Sequence, residues 1–140
     1  MEVTRVHHTG VVVRSIDESL VFFRDALGMR VVKEEVIEDQ GVRAVLLDAG
    51  NSLIELLEPV VPGTGIARYL EGKGEGLHHV CLEVDDIKAA LAGLKEAGVP
   101  LIDETPRPGL TGSIAFLHPT ALHGVLVELL HSATAFRVPR

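Results

Sequence analysis

The segment VHHTGVVVRSIDESLVFFRDALGM at residues 6–29 returns in altered form as LHHVCLEVDDIKAALAGLKEAGV at residues 77–99. Each copy starts as an aliphatic strand with two adjacent histidines, continues as a helix with one apolar face, and ends near a glycine. Each then leads to a strand with an acidic residue among aliphatic ones, LIELLEP at 53–59 and VLVELLH at 125–131. The sequence therefore predicts the duplication of a unit of about seventy residues.

The two helices set the predicted architecture. The first is expected to begin near Ser15 and end at Gly28, with a buried face formed by Ile16, Leu20, Phe23 and Leu27. The second is expected to begin at Asp85 or Asp86 and end at Gly98, with a buried face formed by Ile87, Ala90, Leu91 and Leu94. Short β-prone runs follow the helices, at 29–37, 42–50 and 51–59, and then around 100–104, 113–119 and 124–131.

These elements predict a fold class. A helix packed on a four-stranded sheet gives a βαβββ module, and two tandem modules give an α+β protein in two layers. We expect a single domain over residues 1–140, with modules at about 1–65 and 74–135. The segment at 59–76 is the predicted linker, with one helical turn around Ile66 to Leu70.

The composition limits the function. The chain of 140 residues is 46% hydrophobic, which is enough for one core, and no apolar run is long enough to span a bilayer. The net charge of −7 and the lack of a basic cluster argue against a nucleic-acid partner. Cys81 is the only cysteine, so no intrachain disulfide can form. We expect a soluble, cytoplasmic protein that binds a small molecule and no membrane.

Two carboxylates are the most informative residues. Glu55 shares a strand face with Leu53 and Leu57, and Glu128 lies in the corresponding strand of the second copy. An unpaired carboxylate among core side chains costs several kcal/mol, so it must be neutralised, paired or bound to a cation. These strands contain no cationic partner, which points to a metal ion.

Spacing links the acids to the histidine pairs. Glu55 follows His8 by 47 positions (55 − 8), and Glu128 follows His79 by 49 (128 − 79). A lone histidine in a strand usually has a structural role, but the repetition favours one histidine and one glutamate from each module at a shared site. Strand alternation alone does not choose between the two histidines of a pair. Two imidazoles and two carboxylates suit Co²⁺, Ni²⁺, Zn²⁺ or Mn²⁺.

Other candidates have simpler interpretations. His118, His123 and His131 are expected in or near loops at the surface, and Cys81 is expected to be a small buried side chain. The glycines of PRPGLTGS at 106–113 predict a tight turn, which is a weak signal for a phosphate.

Several motifs carry a family resemblance over nearly the whole chain. The strongest are GNSLIELLEP at 50–59, GEGLHHVCLEVDDI at 74–87, and IAFLHP at 114–119 followed by HGVLVEL at 123–129. In these the chain resembles the methylmalonyl-CoA epimerase family within the vicinal oxygen chelate superfamily. The resemblance implies a glyoxalase-type fold with a metal cleft between curved sheets, one divalent ion per chain with Co²⁺ favoured, an acyl-CoA substrate and a homodimer.

The resemblance also implies a ligand set. The second histidine of each pair is the ligand in the family's motif, which selects His8 and His79, and Glu55 and Glu128 complete the set. The first histidines, His7 and His78, would then be structural and lie on the opposite strand face.

The implied reaction exchanges the 2R and 2S configurations of methylmalonyl-CoA through an enolate, and it needs a proton donor or acceptor on each face of C2. Glu128 is the expected group on one face. Some relatives carry a glutamate after QGV where this chain has Ala44, so the second group stays open between Glu38, Asp39, Glu83 and a metal-bound water.

Two departures from the family pattern concern substrate recognition. The turn GLTGS at 109–113 is one residue short and lacks a basic residue, and Thr120 stands where a lysine often follows HP. The alternatives are a glyoxalase I-type lactoylglutathione lyase and a non-catalytic binding protein of the same fold. A ring-cleaving dioxygenase is disfavoured by the second glutamate.

Overall fold

The computed structural model of the protein describes residues 1–132, and these divide into two compact units. The first unit is Thr9–His78, and the second unit joins Met1–His8 to the chain from His79 onward. Strand β1 (Val3–Val12) therefore contributes to both units. The single domain with two sequence modules stays a prediction, and the predicted end of the second module at 135 lies outside the described residues.

The first unit combines three further strands with two helices. Its sheet has the order β2-β3-β4-β1, and β3 pairs antiparallel with both β2 and β4. The strands are β2 (Val31–Ile37), β3 (Val42–Asp48) and β4 (Leu53–Pro59), and the helices are α1 (Ile16–Leu20) and α2 (Gly65–Lys73).

Helix α1 begins as the sequence predicts. The Ser15 hydroxyl accepts a hydrogen bond from the Glu18 backbone N–H at 3.1 Å, which satisfies one of the free donors of the first turn. Ile16 and Leu20 are buried, and they belong to a core cluster with Val13, Val45, Leu47 and Leu56.

The chain after α1 continues as a π-helical segment, Val21–Ala26. The Leu27 N–H donates to the Phe22 carbonyl five residues earlier, at 3.0 Å. This wider turn changes the phase of the apolar stripe, because the α-helical spacing that would bury Leu27 no longer holds. Leu27 is 57% exposed, so the sequence prediction was wrong for this residue.

Helix α2 is longer than predicted. It extends over nine residues instead of a single turn, and the Thr64 hydroxyl caps it by accepting from the Ala67 N–H at 3.2 Å. The Tyr69 hydroxyl donates to the Leu77 carbonyl at 2.6 Å, which ties the helix to the start of β5.

The second unit has the strand order β1-β5-β8-β7-β6. Strands β5 and β8 are parallel, whereas β7 is antiparallel to β8 and β6. The elements are β5 (Gly76–Val84), α3 (Ile87–Glu96), β6 (Arg107–Pro108), β7 (Gly112–Leu117), a 3₁₀ turn (Pro119–Leu122) and β8 (Val127–Ser132). The α+β class is confirmed.

Helix α3 matches its predicted limits and buried face. Asp86 caps it by accepting from the Ala89 N–H at 3.0 Å, and Gly98 follows the helix with a φ of +79°. One face packs on the strands of this unit, in a cluster formed by Ile87, Ala90, Leu91, Val84, Ala115, Leu117, Val127 and Leu129. Leu94 is packed against this cluster.

The strand predicted around 100–104 is reduced to one bridge, between Leu101 and Leu117. The next two N–H groups, of Ile102 and Asp103, both donate to the Phe116 carbonyl, so a regular ladder cannot continue. The Asp103 carboxylate then accepts from the Phe116 N–H at 2.8 Å. A side chain thus replaces the backbone partner that a strand would supply.

None of the helices within residues 1–132 combines the length and the apolar character that crossing a membrane requires. The cytoplasmic location stays a prediction.

Two glycines with positive φ offer a matched test of backbone strain. Gly41, in the turn after β2, has a φ of +64°, and an added Cβ would lie 2.6 Å from a methyl of Val61 and 2.7 Å from one of Thr64. Gly28 has a φ of +74° with no atom near that position. We expect Gly28→Ala to lower the free energy of unfolding by about 1–2 kcal/mol, and Gly41→Ala by about 2–4 kcal/mol, because short branched side chains cannot move aside. Urea unfolding measures both, and equal losses would contradict the steric argument.

Candidate metal centre

Glu128 lies on β8, between the two neighbouring strands of the second unit. Its register partners are Cys81 on the parallel strand β5 and Phe116 on the antiparallel strand β7. The residue is 6% exposed. The fold therefore places a carboxylate in the interior of a sheet, where its charge needs compensation from nearby groups.

Two imidazoles face this carboxylate. His8, on the part of β1 that belongs to the second unit, has its Nε2 3.0 Å from Glu128 Oε1, and His79 on β5 has its Nε2 3.2 Å from the same oxygen. The two Nε2 atoms are 3.0 Å apart. Both histidines are buried, and the Phe116 ring packs edge-on against His79. Three of the four predicted ligands thus meet within one unit.

The electrostatics keep Glu128 ionised. Burial by itself raises the pKa of this carboxyl, but the polar contacts with His79 and His8 outweigh burial and hold its pKa below the usual range. No N–H or O–H of the described residues donates a well-aligned hydrogen bond to the buried Oε1. The two imidazole nitrogens nearest to this oxygen are His8 Nε2 and His79 Nε2.

The donor set fits a divalent cation. Imidazole nitrogen and carboxylate oxygen are ligands that borderline ions prefer, and the buried Glu128 Oε1 has no well-aligned hydrogen-bond donor among the described residues. Atoms about 3 Å apart are also spaced as neighbouring ligands of an ion with bonds of about 2.1 Å. His8, His79 and Glu128 therefore form a candidate metal-binding group.

Glu55, the fourth predicted ligand, belongs to the first unit. It lies on β4 opposite Leu46 in the β3 register, and it is 6% exposed. Its burial agrees with the expectation of a core carboxylate, and its role as a ligand stays a prediction.

A second cluster adjoins the candidate centre. His7 Nδ1 is 2.8 Å from His8 Nδ1, and the ligand atoms of His7, His8 and Cys81 lie within 4.8 Å of one another. His7 has no exposed surface. Sequence reasoning set this residue aside, and the only signal that could have drawn attention to it was its adjacency to His8. His78 instead packs its ring against Tyr69 in the first unit.

The remaining candidates lie in other settings. His118, His123 and His131 are exposed, as predicted, although His131 is part of β8 and not of a loop. Two candidates for the second proton donor, Glu38 and Asp39, are exposed in the turn before Gly41. Glu83 contacts Arg5 at 3.5 Å, and Ala44 is fully buried on β3.

Comparisons with known proteins identify the family of the chain. A family model described as Glyoxalase/Bleomycin resistance protein/Dioxygenase superfamily matches residues 7–116. Ethylmalonyl-CoA/methylmalonyl-CoA epimerase of Cereibacter sphaeroides is 38% identical over 128 residues, which cover 89% of this chain and 96% of that protein. Mitochondrial methylmalonyl-CoA epimerase of Bos taurus is 37% identical over 127 residues, covering 89% of this chain and 73% of that protein.

Solved structures give the same result. A variant of Streptomyces coelicolor methylmalonyl-CoA epimerase, in complex with 2-nitronate-propionyl-CoA, matches with a TM-score of 0.89 at 36% identity. The match covers 95% of this chain and 100% of that one. The predicted glyoxalase-type fold is confirmed.

The Cys81 thiol should be inert in the folded protein. Burial raises its pKa to about 12, so the reactive thiolate is a very small fraction at about pH 8. We expect labelling by dithiobis-nitrobenzoate to be at least about 1,000-fold slower in the native protein than after unfolding in guanidinium chloride. Thiol release is followed by absorbance, and rapid labelling of the native protein would contradict this placement.

Proposed function

Because the chain belongs to the methylmalonyl-CoA epimerase family of the glyoxalase superfamily, we propose that it interconverts the 2R and 2S forms of methylmalonyl-CoA. The observation that carries the proposal is the group of His8, His79 and Glu128, whose ligand atoms lie 3.0–3.2 Å apart. A related structure that holds an acyl-CoA analogue supports the same class of substrate.

The metal-holding residues are the first part of the proposal. His8, His79 and Glu128 would bind one divalent ion, which we propose to be Co²⁺, with Glu55 as the fourth ligand that the sequence repeat predicts. Such an ion supplies Lewis-acid stabilisation for the charge that develops on the thioester oxygen when C2 loses its proton. The buried neighbours limit the access of water, which strengthens electrostatic interactions at the site.

Glu128 is the proposed base for one face of C2. Its lowered pKa keeps the carboxylate ionised at neutral pH, so it can accept the C2 proton and return it. The hydrogen is acidic because C2 lies between a thioester and a carboxylate. His8 and His79 orient Glu128 through the contacts at 3.0 and 3.2 Å.

The opposite face of C2 needs a second group, and Ala44 cannot supply one because its side chain carries no exchangeable proton. Glu83 also has another partner, since the Arg5 guanidinium contacts its carboxylate at 3.5 Å and the Thr4 hydroxyl lies 3.3 Å from it. The proposal therefore assigns one face to Glu128 and the other to a group different from residue 44.

We also propose that the protein is a cytoplasmic homodimer. Analytical ultracentrifugation tests the dimer, because a single monomeric species at micromolar concentration would exclude it. Fractionation of the source cells tests the location.

Proton exchange at C2 tests the proposed reaction. We expect the Co²⁺-loaded protein to exchange the C2 proton of methylmalonyl-CoA for deuterium in D₂O, so that the methyl doublet in the proton NMR spectrum collapses. Removing the ion with EDTA should slow exchange by about 100-fold or more, because the enolate charge loses its stabilisation. The uncatalysed exchange in buffer is the control.

A protein that holds one Co²⁺ per chain and gives no exchange above buffer would overturn the epimerase. Conversion of a glutathione hemithioacetal by that same protein would then favour the lactoylglutathione lyase, and the absence of both activities would favour the binding protein.

Substitution of the ligands tests the metal site itself. We expect His79→Ala, Glu55→Ala and the isosteric Glu128→Gln to weaken Co²⁺ binding by about 100-fold or more, since even loss of a group that only supports a ligand costs about 10–100-fold. Glu96→Gln on the exposed side of α3 is the matched control and should bind Co²⁺ as the native chain does. Isothermal titration measures binding, and circular dichroism verifies the fold. Unchanged binding in any of the three would remove that residue from the ligand set.

A further inference from the structure

His7 is a buried histidine in contact with a residue of the candidate metal centre. Its side chain is completely buried in the second unit, where a polar ring needs partners for both nitrogens. Its Nδ1 lies 2.8 Å from His8 Nδ1, and its Nε2 lies 3.5 Å from the Thr111 hydroxyl oxygen. The two ring nitrogens of His7 thus connect a residue of the candidate centre with a turn residue before β7.

The contact between the two Nδ1 atoms links the proton positions of the two rings. At 2.8 Å one nitrogen must carry hydrogen and the other must accept it. A His8 that binds an ion uses the Nε2 that faces Glu128 and His79, and the lone pair needed there places the His8 proton on Nδ1. His7 Nδ1 is then the acceptor. The His7 proton is consequently on Nε2, which faces the Thr111 oxygen.

We propose that His7 is a positioning residue for the metal centre: it accepts the Nδ1–H of His8, donates to Thr111, and so holds His8 in the tautomer whose Nε2 can bind an ion. This inference depends on the proposed function, because it requires His8 to be a metal ligand. His7 itself does not touch the ion.

The expected energetic effect comes from orientation. A ligand histidine whose second nitrogen donates to a fixed partner has its tautomer set and its basicity raised, and removal of such a partner typically weakens metal binding about 10–100-fold. The fixed partner here is another imidazole, anchored by Thr111 and enclosed on all sides. The His7 ring therefore has little freedom to turn away from the Nδ1–H of His8.

Three substitutions at residue 7 separate the hydrogen bond from packing. Asparagine places its amide oxygen where His7 Nδ1 stands, so His7→Asn keeps an acceptor for His8. Glutamine places its amide group nearer the Nε2 position, and leucine has no acceptor, so His7→Gln and His7→Leu both lose it. We expect Co²⁺ affinity to fall about 10–100-fold in His7→Leu and His7→Gln, and to stay within a few-fold of native in His7→Asn.

Co²⁺ affinity is measured by competition with a chelator, and the visible absorption of bound Co²⁺ reports the ligand geometry. A histidine that only filled space would leave the Co²⁺ band unchanged, whereas we expect a shifted band in His7→Leu. His78→Leu is the matched control, since His78 also precedes a proposed ligand but contacts Tyr69. It should keep the native affinity and spectrum.

Thr111→Val tests the same role without changing His7, so it can be used if a substitution of His7 prevents folding. It removes the hydroxyl that receives the His7 proton and retains the shape of the side chain. We expect a several-fold loss of Co²⁺ affinity. Native affinity in both Thr111→Val and folded His7→Leu would overturn the positioning role, as would equal losses in His7→Asn and His7→Leu. Absence of Co²⁺ binding by the native chain would instead overturn the metal centre of the proposed function.

Discussion

The buried charge of Glu128 is the constraint on which the organisation of this protein depends. A carboxylate inside a sheet is costly unless positive or hydrogen-donating groups compensate it. The second unit meets this requirement with two imidazoles from different strands, and β8 is held between β5 and β7 by backbone pairing. The two imidazoles hold the pKa of this carboxyl below its usual range although burial alone would raise it.

The same constraint explains why the site is built on strands and not on loops. His8 and His79 come from β1 and β5, so the backbone hydrogen bonds of the sheet fix their Cα positions. Because both strands belong to one hydrogen-bonded sheet, the frame that carries these two side chains is rigid. Catalysis that depends on a precise electrostatic arrangement benefits from such preorganisation, because little reorganisation is needed when charge develops.

Much of this could be predicted from the sequence, for a physical reason. An acidic residue among strand leucines is a costly feature that a chain does not repeat without cause, so Glu128 was identifiable from the residues themselves. The choice of His8 and His79 within their pairs came from the family resemblance. The helix starts were equally clear, because Ser15 and Asp86 are capping residues followed by apolar periodicity.

The predictions that failed concern features for which the residue types in the sequence give no signal. Leu27 lost its buried position because a π-helical turn altered the phase of the helix, and no residue in Val21–Ala26 announces such a turn. The strand expected around 100–104 was replaced by a side-chain interaction of Asp103. The contact between His7 and His8 was not predicted, because neighbours in a strand normally point to opposite faces.

Strand β1 has a further consequence for how the protein is made. Its first residues, with His8, belong to the same compact unit as the last described strand. During synthesis, the amino terminus leaves the ribosome long before Glu128 is added, so the three polar side chains can assemble only when almost the entire chain is available. Before that point His8 lacks its contact with Glu128. The candidate metal-binding group is thus completed only after most of the described residues have been synthesised.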